Sequence, residues 1–393
     1  MARGIKLLAL AILWIVPLVA ISRALHYDWG SVWKALKVPS MSLPFSDLRV
    51  ITGGLKTLQL GGNPITDNVG EVLHRPMNYP RIWLHLFSWM RINDSNIEIV
   101  GILFCIFYLL CISLLILQSR DSPSGLILMV AGLSVAPLFA IERANTDLLI
   151  FFLVFLGCLV GNKFLRPSLF FAAAALKIYP FAALIVDALR RTRKERALPL
   201  ALAGLVIVLF AWQWSDFNAI RHATPISPEL SYGVLSLKAQ AAFMSWKLIA
   251  VYCVVAALII GVAWVGRPKI EQSLLELHLG EMFSVFGGIF VFTFAVGSNW
   301  DYRLIYLVPT LPMAMEMVRT RRNVGWGLIY IALVLVAENS FAHGFYKTIE
   351  VSDMATWALF GMLLITLLQQ ATAFLLAQSN FSAPPNQPAN SAA

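Results

Sequence analysis

The chain has 393 residues, 59% of them hydrophobic and only 13% charged. A soluble protein carries about 25% charged residues to cover its surface, so a soluble globular protein is excluded. The net charge of +9 is spread in short clusters between apolar runs, which is the orientation signal of a membrane protein rather than a nucleic-acid face.

In chain order, the first element is an apolar run, "MARGIKLLALAILWIVPLVAI", with Arg3 and Lys6 at its basic end. It is long for a signal peptide and no small-x-small cleavage site follows, so an uncleaved first span is expected. Positions 22–96 are too polar to cross a bilayer and read as a long outer segment with short helices. Further spans are expected at Ile97–Leu117, Gly125–Ile141, Asp147–Gly161, Ala197–Trp214, Trp246–Val265, Glu281–Gly297, Arg303–Val318, Gly325–Ala337 and Thr356–Ala377. The run containing Lys177 is different. Lys163 and Arg166 precede it and "RRTRKER" (Arg190 to Arg196) follows it, so both flanks carry the cytoplasmic signal. Proline removes a backbone donor and disrupts the helix before it. The run is therefore expected to be a hairpin of two half-helices broken at "LKIYP", where buried irregular backbone lines a cavity.

The expected fold is all-α and polytopic, with about ten full spans of roughly 20 residues plus the broken-helix hairpin. Positions 1–378 form one transmembrane domain, both termini are cytoplasmic, and 379–393 is a disordered tail. The four cysteines (Cys105, Cys111, Cys158, Cys253) lie in apolar runs without ligand spacing and read as small core residues. No metal is expected, because no Asp-x-Asp pair occurs and the histidines lack ligand spacing. No strand–glycine–helix pattern of a nucleotide-binding domain is present.

Polar residues at the expected outer junctions are the candidates for function. Asp47 precedes a short helical stretch, where a carboxylate serves either as an N-cap or in chemistry. Arg75, Arg81 and His74 lie in turn-rich loops, where solvation is the plain reading. Glu142, Arg143, Asn145 and Asp147 cluster in "IERANTDLL", equally readable as a tight turn with a helix cap. In "GSNWDYRLIYLVP", Asp301 and Arg303 read as a salt-linked turn and Trp300, Tyr302 and Tyr306 as interfacial aromatics. Asn339 to Lys347 form a further outer loop.

The ordered set "DLRV…GGNP…NYPRIW", "RANTDLL", "ALKIYP" and "WDYRLIYLVP" resembles the polyprenyl-phosphate-sugar-dependent glycosyltransferases of family 87, within the multi-span C-type superfamily. The resemblance runs from about Asp47 to Pro312, and its specificity lies in the order of four loose motifs. The family's Gly-Asn-x-Asp is here Ala144-Asn145-Thr146-Asp147, and the second proline often found after its tyrosine–proline is here Arg81. The resemblance implies transfer of a hexose, mannose-like, from a polyprenyl-phosphate donor to an outer-face glycan or glycolipid at a bacterial inner membrane. It implies inversion in one displacement, with Asp47 matching the aspartate general base. Lys177, Arg143, Arg303 and, more weakly, Arg81 are the expected donor-phosphate ligands. Asn145, Asp147, Tyr79 and Asp301 are the expected sugar or acceptor contacts. A structurally paired Lys177, tied to Glu142 or Asp147, is the competing reading. The implied partners are the lipid bilayer, the lipid-linked sugar and the acceptor, with no cofactor. A transporter or flippase of lipid-linked sugars also fits a broken helix with a buried cation, but no convincing internal repeat is visible. An O-antigen-type polymerase or ligase is a further alternative, although Ser215 to Ser245 holds only Arg221 and Lys238 as cations.

Overall fold

The computed structural model describes residues 2–224, 227, 230–234, 254, 257, 261, 278–296, 299–339 and 346–380. Most of the expected span Trp246–Val265, the Gly266–Lys269 cluster, most of the Asn339–Lys347 loop and all of the expected tail after Asn380 lie outside the described residues.

Helix dominates because long apolar runs in lipid satisfy every backbone group within the segment. α1 (Ala2–His26) is followed by α2 (Trp29–Ala35), capped by Asp28, whose carboxylate accepts from the Ser31 N–H at 2.9 Å. The outer segment then forms α3 (Ser46–Gln59) and α4 (Ile82–Trp89) before α5 (Ile97–Gln118). α6 (Ser122–Gly132) and α7 (Val135–Arg143) make one leg bent by 47°. α8 (Asp147–Leu159), α9 (Leu165–Leu176), α10 (Phe181–Arg190) and α11 (Ala197–Trp212) follow. α12 (Trp214–Ala223) turns off α11, by 74°. The remaining elements are β1 (Ser231–Tyr232), α13 (His278–Val296), β2 (Asn299–Trp300), a 3-10 helix (Asp301–Thr310), α14 (Leu311–Arg319), α15 (Val324–Asn339) and α16 (Tyr346–Asn380). The two short strands pair antiparallel, Ser231 opposite Trp300.

The legs run between two ends. At one end the Lys6 ammonium meets the Ser119 carbonyl, Arg120 pairs with Glu316 at 3.5 Å, and Arg166 pairs with Glu281. At the other, Trp29 donates to Glu142 at 2.8 Å and Phe45 packs against Gly101. The first end collects Lys6, Arg120, Lys163, Arg166, Arg190, Arg191 and Arg319, a basic belt.

The described residues show fewer than ten full spans. Among the described residues, four helices are long and apolar enough to cross a membrane, and up to six if each bent pair counts as one span. α8 has 13 residues, about 20 Å at 1.5 Å per residue. The expected span from Arg303 is instead a ten-residue 3-10 helix running into α14, with Pro309 inside the first and Pro312 opening the second. The hairpin does form. Arg191 donates to the Lys163 carbonyl at 3.0 Å, closing its base, and Asp187 there takes Arg166 at 3.1 Å and Arg191 at 2.9 Å. Its break, Lys177 to Pro180, sits at the far end, where Trp83 donates to the Leu176 carbonyl at 3.0 Å. Cys105, Cys111 and Cys158 are free and buried, as core residues.

One glycine fixes where α3 begins. A Cβ on Gly101 would stand 2.6 Å from the ring of Phe45, a fully buried residue in left-handed conformation (φ 53°) that opens α3. Gly101→Ala is expected to lower the thermal midpoint in detergent, with overpacking costing about 1–3 kcal/mol. Gly204→Ala, where nothing lies within 4 Å, is expected to leave it unchanged or raise it. A Gly101→Ala protein as stable as wild type would show that the Phe45 contact does not set the register of α3.

Candidate functional site

Helix ends build the site. α3 begins, α7 ends, α8 begins, α9 ends and the 3-10 helix begins at the end of the bundle opposite the basic belt. Asp47 lies in the first turn of α3, Asp147 opens α8, Arg143 closes α7 and Lys177 follows α9. Carboxylates at helix N-termini and cations at C-termini agree with the helix dipoles. The reversal between α7 and α8 turns on Ala144, left-handed at φ 44° and ψ 47°, a conformation costing an L-residue roughly 1–2 kcal/mol.

Asp147 is fully buried and accepts from three groups. Lys177 Nζ donates to Oδ1 at 2.8 Å, the Tyr179 hydroxyl donates to the same oxygen, and Arg303 Nε donates to Oδ2 at 3.2 Å. Tyr306 reaches the Asp147 carbonyl at 3.4 Å and the Tyr179 hydroxyl at 3.2 Å. Arg303 also donates to Asn299 Oδ1 at 2.7 Å. Of the two open readings of Lys177's partner, Asp147 is the one found.

Asn145 joins this cluster to Asp47. Its Nδ2 donates to Asp47 Oδ2 at 2.5 Å, while its Oδ1 accepts from Lys177 at 3.4 Å and from the Asp147 N–H at 2.9 Å. Asp47 is 7% exposed and pairs with Arg143 at 3.5 Å and Arg75 at 3.7 Å. It is not the N-cap of α3, a place taken by Phe45. Arg143 is itself sandwiched, 4.5 Å from the Phe139 ring centre and 5.1 Å from that of Trp300, and lies 3.7 Å from Glu142. The Tyr79 ring stands 5.1 Å from the Lys177 ammonium. Burial raises the Tyr79 phenol well above its ordinary value, with the Asp47 carboxylate adding to the effect, and so keeps it neutral.

Seven of the expected residues thus meet: Asp47, Lys177, Arg143, Arg303, Asn145, Asp147 and Tyr79. Two do not. Arg81 pairs with Asp216 of α12 and donates to Asn63 at 3.3 Å. Asp301 is buried at the start of the 3-10 helix, and among the described residues no hydrogen bond or ion pair joins its carboxylate to the cluster. It does not form the salt-linked turn with Arg303, whose guanidinium goes to Asp147 and Asn299.

Other residues were hidden from a sequence reading. Arg75 is not a solvated loop cation. It pairs with Glu71 at 2.7 Å and donates to the Ser46 carbonyl at 2.6 Å. Glu71 also accepts the N–H groups of Leu73 at 2.7 Å and Arg75 at 3.0 Å, shaping the loop that delivers the guanidinium. Tyr302 and Tyr306 are buried rather than interfacial. Tyr179, directly between Lys177 and Pro180, was signalled only by its neighbours. No protein-family model matches the chain, and no curated protein matches it in sequence.

The arrangement brings two carboxylates, Asp47 and Asp147, and three cations, Lys177, Arg143 and Arg303, into one buried cluster linked by the Asn145 amide. Removing the carboxylate that neutralises two cations leaves them uncompensated, at a cost of about 3–5 kcal/mol. Asp147→Asn is therefore expected to unfold at a markedly lower temperature in detergent, and adding Lys177→Met is expected to recover part of the loss. A double variant no more stable than Asp147→Asn would show that Lys177 and Asp147 are not energetically coupled.

Proposed function

We propose that the protein is a membrane glycosyltransferase that moves a hexose, mannose-like, from a polyprenyl-phosphate donor to a glycan or glycolipid acceptor. The observation carrying this reading is the Asn145 amide, which ties the Asp47 carboxylate to the Lys177 ammonium. A base for an acceptor hydroxyl and a cation for a departing phosphate then belong to one site. The left-handed Ala144 adds support, because it stands where the resembled family has glycine, the residue that takes that conformation without strain.

In the proposed reaction the Asp47 carboxylate takes the proton from the acceptor hydroxyl as that oxygen forms its bond to the anomeric carbon. The bond from that carbon to the phosphate oxygen breaks on the opposite face, which inverts the centre. The electron pair leaves with the polyprenyl phosphate. Lys177, Arg143 and Arg303 stabilise the growing charge, and charge-assisted bonds in a dry site are about twice as strong as neutral ones. Asp147 keeps Lys177 and Arg303 in place before the donor arrives. Tyr79, neutral and beneath the ammonium, offers a hydroxyl and a ring face to the sugar. In this reading the basic belt faces the cytoplasm, which the positive-inside rule supports, and the Asp47 end works on the outer face of a bacterial inner membrane.

Asp47→Asn is expected to cut transfer by about 10²–10⁴-fold, the usual contribution of a positioned base, while donor binding persists. Release of free lipid phosphate from a panel of undecaprenyl- and decaprenyl-phosphate sugars, followed with purified protein in nanodiscs, measures this. Lys177→Met is expected to weaken use of the donor instead. Full turnover by Asp47→Asn would remove the carboxylate from the mechanism, and transport of the lipid-linked sugar without its cleavage would replace the reading by a flippase.

A further inference from the structure

The Arg81–Asp216 pair lies away from the Asp47–Asp147 cluster, yet its position is not that of an ordinary surface ion pair. It ties the first residue before α4 to α12, across 135 positions of sequence. α12 leaves α11 at 74°, so a helix apolar enough to lie in lipid is followed by one that cannot continue along the same axis. The corner carries exposed tryptophans, Trp212 at 81% and Trp214 at 62%, and Trp89 at the end of α4 is also 81% exposed. Exposed tryptophan on a membrane protein settles at headgroup depth, where its ring is apolar and its N–H is wet. The pair is assigned to headgroup depth by these tryptophans. It also sits two residues along the chain from Tyr79, whose ring faces Lys177.

Solvent and salt reach a partly exposed ion pair of this kind and weaken it. The Arg81 and Asp216 side chains are 32% and 23% exposed. The phosphodiester of a lipid-linked sugar likewise offers a guanidinium two oxygens for a bidentate, singly charged pair. We propose that Arg81 is the docking cation at which the phosphate of a lipid-linked substrate first binds, exchanging Asp216 for phosphate at a mouth between α4 and the α11–α12 corner, before transfer to the buried cations. The inference rests on the polyprenyl-phosphate reading, and adds the route and the first contact of that substrate. Asp216 is then a competitor for Arg81, not a partner whose loss does harm.

That asymmetry gives the test. Binding of undecaprenyl phosphate to the full chain in nanodiscs of neutral lipid would be measured for wild type, Arg81→Gln, Asp216→Asn and the exchanged pair Arg81→Asp with Asp216→Arg. Arg81→Gln is expected to weaken binding about tenfold, equivalent to a contact of about 1.4 kcal/mol. Asp216→Asn is expected to tighten it severalfold, a gain that damaged folding cannot mimic. The exchanged pair is expected to stay as weak as Arg81→Gln, because its cation stands on the wrong helix. If Arg81→Gln and Asp216→Asn weaken binding alike and the exchange restores it, the pair is a structural clasp and the proposal is overturned. Unchanged affinity in every variant overturns it as well. A wild-type protein that does not bind undecaprenyl phosphate at all would instead overturn the lipid-phosphate reading on which it stands.

Discussion

One fully buried carboxylate organises the bundle around itself. Asp147 accepts from Lys177, Tyr179 and Arg303, and these come from three separate stretches of chain. Removing such charges from water costs several kcal/mol per ion, a cost recovered only when partners are close and the remaining lone pairs are filled. The backbone has to bring the ends of several helices to one place for that to happen. The short α8, the split between α6 and α7, the hairpin break and the 3-10 helix are all consequences. Regular 20-residue spans would deliver side chains at this depth but no free helix ends.

This explains which parts of the fold the sequence disclosed. The hairpin was legible because two independent signals agreed: basic flanks on both sides of one apolar run, and Pro180 just after the cation. α1, α5 and α13 were legible as single long apolar runs. The leg from Arg303 was misread because hydropathy reports how apolar a segment is and not how tightly its backbone winds. The signal there was Pro309 and Pro312, two breakers within four residues. The Leu133–Ser134 bend carries no proline before it. It stands beside Ser134, whose hydroxyl donates to the buried Glu338 carboxylate at 2.9 Å, a contact 204 positions away that no local pattern announces.

The site divides the same way. Most of the charged residues that meet, Arg75 and Glu71 apart, were visible as candidates, since ionisable groups within or beside apolar runs are rare and costly. Their pairing was not visible. Asp147 read equally as a cap and as a partner for Lys177, and Arg75 read as a solvated loop cation. What distinguishes Arg75 is the Glu71–Arg75 spacing inside a loop closed by Asn68, which donates to the Val50 carbonyl at 3.0 Å and the Arg75 carbonyl at 3.1 Å. That loop lies tight against α3, where a Cβ on Gly70 would stand 2.3 Å from the Gly53 carbonyl oxygen.

Two arginines of similar appearance in the sequence therefore acquire opposite roles. Arg75 is held by four contacts to Glu71, Ser46 and Asp47 around a close-packed loop, so its charge is a fixed part of the wall beside Asp47. Arg81 is held mainly by one partly exposed carboxylate at a corner flanked by tryptophans. A fixed guanidinium can set the electrostatics of a carboxylate but cannot follow a substrate. A loosely held one contributes little to the resting structure and is free to change partners. For the lipid-borne anion we propose as substrate, the two properties would be used in sequence, and the chain separates them by six residues between α3 and α4.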